Sequence, residues 1–108
     1  DLGWMLVYWW DKKDPPPPRP EAAQFMTQPG YSTRQELVDI YEELTGIKFE
    51  HERFYRALAV YKVAALGEMF YRRHIEGNAD NPMYPKMKQY VPLFLDRALR
   101  IIEGDEPL

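Results

Sequence analysis

The 108-residue sequence contains no cysteine, which excludes disulfides, thiolate zinc sites and cysteine nucleophiles together. No apolar run approaches the ~18 residues of a membrane span, and there is no signal-peptide pattern. The only two histidines, His51 and His74, fall at opposite ends of one predicted helix, too far apart to share a ligand or a reaction, so no metal site is expected. A basic stripe is missing too. Fourteen Lys and Arg stand against 17 Asp and Glu, net charge −3, with the signs interspersed, which argues against a nucleic-acid partner. The expectation from these absences is a soluble, cytosolic chain with neither membrane nor nucleic acid as a partner.

Apolar material, by contrast, is plentiful: 45% of residues are hydrophobic and 15% aromatic, far from a disordered composition. A chain of this length forms one domain or part of one, burying on the order of two-thirds of its unfolded surface. Helical periodicity dominates, so an all-α fold is expected: about four helices around one long central helix. The stretch 1–11 reads as the end of a buried helix, although Val7, Tyr8, Trp9 and Trp10 also suit a strand. Prolines 15–18 and Pro20 cannot continue a helix and favour polyproline II, making 12–31 a stiff connector that ends in a Pro29-Gly30 turn.

Thr33 followed by Glu36 has the spacing of a capping box and opens a helix over 33–45. Leu37, Ile40, Tyr41 and Leu44 give that helix an apolar stripe, and Gly46 ends it as a left-handed cap, with Ile47 placed to fold back. The central helix spans 51–76. Between Ala57 and Tyr71 its only charges are Lys62 and Glu68, the pattern of a helix packed on several sides, with Gly67 admitting a close neighbour. Asn81-Pro82 starts a last element over 82–103, with Met83, Met87, Val91, Leu95, Ala98 and Ile102 in register through Pro92, either kinked or split there. Glu68 with Arg72, and Asp96 with Arg100, have the i,i+4 spacing of surface ion pairs.

Chemistry-bearing groups are few. Lys62, flanked at helical spacing by Tyr55, Leu58, Ala59, Ala65, Leu66 and Met69, must reach water or a carboxylate. It either pairs with an acid on a facing helix or presents its ammonium to an anion-accepting pocket. The ring cluster Trp4, Tyr8, Trp9 and Trp10 serves as core or stacks a ring-bearing ligand. Lys12 to Pro18 formally fits a basic-x-x-Pro-x-x-Pro ligand, and equally a rigid loop.

Three segments in succession carry a resemblance. Asp1-Leu2-Gly3-Trp4 resembles the Asp-Leu-Ala/Gly-Trp segment of the aminoglycoside-phosphotransferase-like family, a small-molecule branch of the protein-kinase-like fold. PGYSTRQELVDIYEELTG is similar to the loop and helix that follow it in that family's C-terminal lobe. FYRALAVYKVAALGEMFYRR resembles the long helix of the branch fused to acyl-CoA dehydrogenases. The resemblance implies the helical end of a kinase-like C-lobe. It further implies a fragment whose glycine-rich loop, lysine, His-Gly-Asp loop and metal-binding aspartate lie upstream; none is in this sequence.

By the same resemblance Asp1 is a structural anchor that braces the absent catalytic loop, and no catalytic residue is present. Trp9, Trp10, Tyr61 and Lys62 are candidates for lining the acceptor pocket. ATP and Mg²⁺ are expected for the intact parent only. The implied partners are the remainder of the parent domain, its small-molecule substrate, and a second copy through exposed apolar surface. A freestanding helical interaction domain and a small anion-binding bundle around Lys62 stay open as alternatives.

Overall fold

The computed structural model describes residues 1–15 and 24–108 as an all-helical chain with no strand among them. Four helices are formed: α1 (Leu2–Val7), α2 (Arg34–Thr45), α3 (Glu52–Ile75) and α4 (Met87–Glu103). The helix pairs that pack are α3 with α4 and α1 with α3; α2 takes no comparable part. None of the helices is long and apolar enough to cross a membrane. Most of the proline run, with the basic-proline motif built on it, lies outside the described residues.

The core is small and sits where α1, α3 and α4 meet. Val7, Ala59, Val60 and Ile101 are buried together, with Ala57, Val63, Phe94 and Ala98 against them. Gly67 marks the closest approach of α4: a Cβ there would lie 2.9 Å from Val91 Cγ2 and 3.2 Å from Met87 Sδ. The inward stripe of α4 is Met87, Val91, Phe94, Ala98 and Ile101, not the expected run through Leu95 and Ile102, which are exposed. Successive i+4 steps drift around a 3.6-residue helix, and the drift is corrected here by alternating steps of four and three. The helix proper begins at Met87 rather than at residue 82. Asn81 Oδ1 accepts from the Met83 amide at 2.9 Å, and residues 82–86 form turns pinned by Tyr84 stacking on Phe70 of α3 at 4.7 Å. From there α4 runs unbroken through Pro92.

Three other expectations are corrected. The long helix α3 is not packed on several sides: Phe54, Leu58, Tyr61 and Met69 face solvent opposite the α4 contact. The molecule is correspondingly open, 48 × 28 × 25 Å, with a radius of gyration of 15.3 Å against roughly 13 Å for a compact domain of this length. In α2 the buried positions are Arg34 and Val38, while Ile40 and Leu44 of the expected stripe are exposed, and so is Ile47 beyond the cap. Neither surface ion pair read from spacing forms. Arg72 pairs with Glu76 (3.1 Å) instead of Glu68, and Asp96 and Arg100 stay apart, as expected of exposed pairs that gain little.

What turns α2 is a buried ionic clasp. Arg34 is completely buried. Its guanidinium forks onto both Asp14 oxygens and donates to the carbonyls of Trp9 (3.3 Å) and Pro107 (3.0 Å). Asp11, also buried, accepts from the Arg34 backbone amide (3.1 Å), so it caps α2 alongside Thr33, whose Oγ1 accepts from the Glu36 amide (3.1 Å). Arg97 completes the clasp from α4: Nε donates to both Glu106 oxygens (3.1 and 3.2 Å), Nη1 donates to the Val7 carbonyl (2.9 Å), and the Trp10 ring lies 4.6 Å from the guanidinium carbon. Burial pushes the Asp14 carboxyl up, but the Arg34 bond, the Asp11 amide and two guanidinium charges outweigh it and hold the group below its ordinary range. The Arg34 guanidinium is likewise desolvated, yet the bond to Asp14 and the surrounding acids hold its proton more firmly than usual. At Arg97 burial wins over Glu106, and the proton is held less firmly.

Candidate functional site: a groove between the first and third helices

Helix α1 lies against α3 through Gly3, where a Cβ would come within 3.0 Å of the Tyr55 carbonyl oxygen. Only a residue without a side chain lets the two backbones approach so closely. On one side of this contact a groove of about 370 Å³ opens between the helices. It is lined by Asp1, Trp4, Tyr55, Leu58 and Lys62, with Gly3 and Ala59 at its floor. On the other side a second groove, about 400 Å³, shares Asp1, Gly3 and Tyr55 and extends to Tyr41, Phe49 and His51.

The groove walls have clear local causes. The turn after Gly46 (φ +69°) sends the chain back toward α3. The Phe49 amide donates to Glu42 Oε2 at 2.8 Å, which aims the ring to stack on Tyr55 at 6.2 Å. His51, with φ +56°, is the one described non-glycine residue in the left-handed region, and it turns the chain into the first residue of α3. Trp4 meets Tyr8 edge-to-face at 5.6 Å one helical turn on, which sets the wall opposite Tyr55.

The structure brings Asp1 and Lys62, 61 positions apart in sequence, to one groove. Lys62 makes no ion pair with a facing helix, contrary to the pairing expected of it. It is exposed at the rim, its stem along Leu58 and Ala59. Tyr61 is 59% exposed and stands on the outer face of α3. Trp9 and Trp10 line neither groove. Their indole N–H groups donate to Ser32 O (2.7 Å) and Pro15 O (2.9 Å), which ties them to the connector and the clasp. The Trp-Tyr cluster read at the start of the chain therefore divides into a groove wall (Trp4), the exposed Tyr8 that abuts it, and half-buried braces (Trp9, Trp10).

The arrangement gathers one carboxylate and one ammonium at an aromatic cleft, groups that suit the binding of a polar, ring-bearing molecule. Among the described residues no trio of His, Asp or Glu is gathered that could hold a metal ion. Sequence reading named Trp4 within the terminal ring cluster but missed Tyr55 as the facing groove wall. The signal available was the small residue Gly3 inside an apolar helix, the mark of a close contact whose flanks must be open. No family model matches this chain, and neither does any curated protein or solved structure.

Proposed function

We propose that this chain is the C-terminal, substrate-side portion of an ATP-dependent phosphotransferase of the aminoglycoside-phosphotransferase-like kind, acting on a small-molecule hydroxyl. In this reading the 108 residues alone turn nothing over. The observation that carries it is the meeting of Asp1 and Lys62 in one groove. The resemblance gives the first the task of bracing a catalytic loop and the second a place beside the acceptor, two tasks that belong at neighbouring points of one site. The all-helical architecture and the succession of the three resembling segments support it further.

Phosphoryl transfer is chiefly positioning and electrostatic stabilisation by metal ions and cationic groups. In this reading ATP and Mg²⁺ are handled by the rest of the enzyme, as the resemblance implies. What this chain supplies is one wall of the acceptor site: Trp4 and Tyr55 line it with aromatic surface, and Lys62 supplies a positive charge that orients a polar acceptor. Trp9 and Trp10 support that wall from the clasp.

The test is acceptor-dependent ATP consumption, measured on the native protein captured with an antibody to this segment and on the 108-residue chain. The expected result is a native species well above 12.9 kDa that phosphorylates a hydroxylated small molecule, with Lys62→Met raising KM while kcat holds. Turnover by the 108-residue chain above a mock preparation sinks the reading, as does a native species of 12.9 kDa.

A further inference from the structure

Two helices carry apolar faces that nothing among the described residues covers, and their charges are opposite. On α3 the uncovered row is Phe54, Tyr61 and Met69, each more than a third exposed, at the i, i+7, i+15 spacing of a helix-docking seam. Arg72, paired with Glu76, and Arg73 are exposed beyond that seam, and residues 52–76 sum to +2 (Arg53, Arg56, Lys62, Arg72 and Arg73 against Glu52, Glu68 and Glu76). On α2 the uncovered row is Ile40 and Leu44, continued by Ile47; Leu44 is 81% exposed. Exposed Glu36, Asp39 and Glu43 flank this row, and the one cation of α2, Arg34, is already spent inside the clasp.

We infer that two copies of this chain pair by seating the apolar row of α2 from each on the open face of α3 in the other. Charge selects this occupant. An acidic, apolar helix meets a basic, apolar one, whereas α3 against a second α3, or α2 against a second α2, opposes like charges. Each copy carries one of each face, so the exchange is reciprocal and closes as a two-fold pair. The clasp holds the first turn of α2 in place, so the helix stays on its own side of the molecule and its row remains available to the other copy.

Sedimentation equilibrium of the 108-residue chain, from low to high micromolar, tests the pairing at two salt concentrations. The expected result is twice 12.9 kDa, weakening as salt rises. Leu44→Asp and Tyr61→Asp, placed on the two sides of the proposed contact, should each raise the dissociation constant at least tenfold. Both positions are exposed, so circular dichroism should show the helix content of each variant unchanged. A monomer throughout the range overturns the inference and leaves these faces to another body. A dimer indifferent to either substitution overturns it as well. None of these outcomes touches the phosphotransferase reading, which rests on the groove and on a different assay.

Discussion

Replacing Arg34 with methionine removes the hub of the clasp while keeping its stem. The guanidinium bonds both oxygens of Asp14 and the carbonyls of Trp9 and Pro107, and it is fully buried. Without it, among the described residues, Asp14 keeps the Asp11 amide (2.8 Å), and Asp11 keeps the Arg34 backbone amide and a distant Lys13 at 3.9 Å. Breaking one side of a buried ion pair costs about 3–5 kcal/mol, because the remaining charge stays desolvated. Against a total of roughly 5–15 kcal/mol, that is a large share of the stability of a small domain. At about 4 °C per kcal/mol for a chain near 100 residues, the expected fall in Tm is on the order of 12–20 °C.

The pH dependence gives the same reasoning a second readout. In the parent chain Asp14 has a folded pKa below the unfolded value near 3.8, so its contribution is present above that value and is lost as pH falls through the folded pKa. In Arg34→Met the unpaired, buried carboxyl titrates higher than in the unfolded chain, and acidification then favours the folded variant. The gap between the two proteins should therefore shrink between pH 7 and pH 4. Urea titrations followed by tryptophan fluorescence at both pH values would show it. A loss under about 1 kcal/mol at pH 7, or a gap that widens in acid, refutes the claim that this guanidinium carries the clasp.

Other substitutions give sharper local readouts. Gly67→Ala gains about 1 kcal/mol of helix propensity but drives a Cβ to 2.9 Å from Val91 Cγ2, a stiff β-branched side chain. It should destabilise by about 1–2 kcal/mol net, and Val91→Ala in the same chain should relieve part of that in a thermal melt. Thr33→Ala should cost about 1 kcal/mol or less, since Asp11 continues to accept from the first amide of α2; a loss above about 2 kcal/mol would mean that Asp11 is no cap. Trp9→Phe removes the donor to Ser32 O and should cost about 1–2 kcal/mol in urea titrations, with the helix content unchanged.

The helices were legible from local signals because local chemistry causes them. The Thr33 cap, the Gly46 stop and the apolar stretch after Ala57 each act within a few residues, and α2 and α3 lie where those signals put them. The facing of the helices was less legible. Leu37, Ile40, Tyr41 and Leu44 form a fair stripe, but Arg34 at the first helical position is pulled inward by Asp14, twenty residues upstream, and that bond rotates the stripe outward. A buried arginine looks like a surface arginine until its partner acid is known. The same holds for Arg97 and Glu106, which are nine residues apart and joined around the end of α4. At the candidate groove Asp1 was singled out by the resemblance and Lys62 by its apolar helical neighbours, while their common location depends on Gly3 resting on Tyr55, a contact between distant segments that no periodicity announces.

The clasp also bears on how the molecule opens. Helix α2 draws little support from packing against the other helices, so the clasp, together with buried Val38, sets the free energy of detaching it. The same guanidinium holds the Pro107 carbonyl, and Arg97 holds Glu106, so the residues after α4 share those anchors. Amide hydrogens of α2 should thus exchange as one cooperative unit, in step with the few protected amides of 104–108 and earlier than those of α3 and α4, whose release requires global unfolding. A ligand or partner that tightened either segment would slow exchange in the other, although the two are separated by most of the chain.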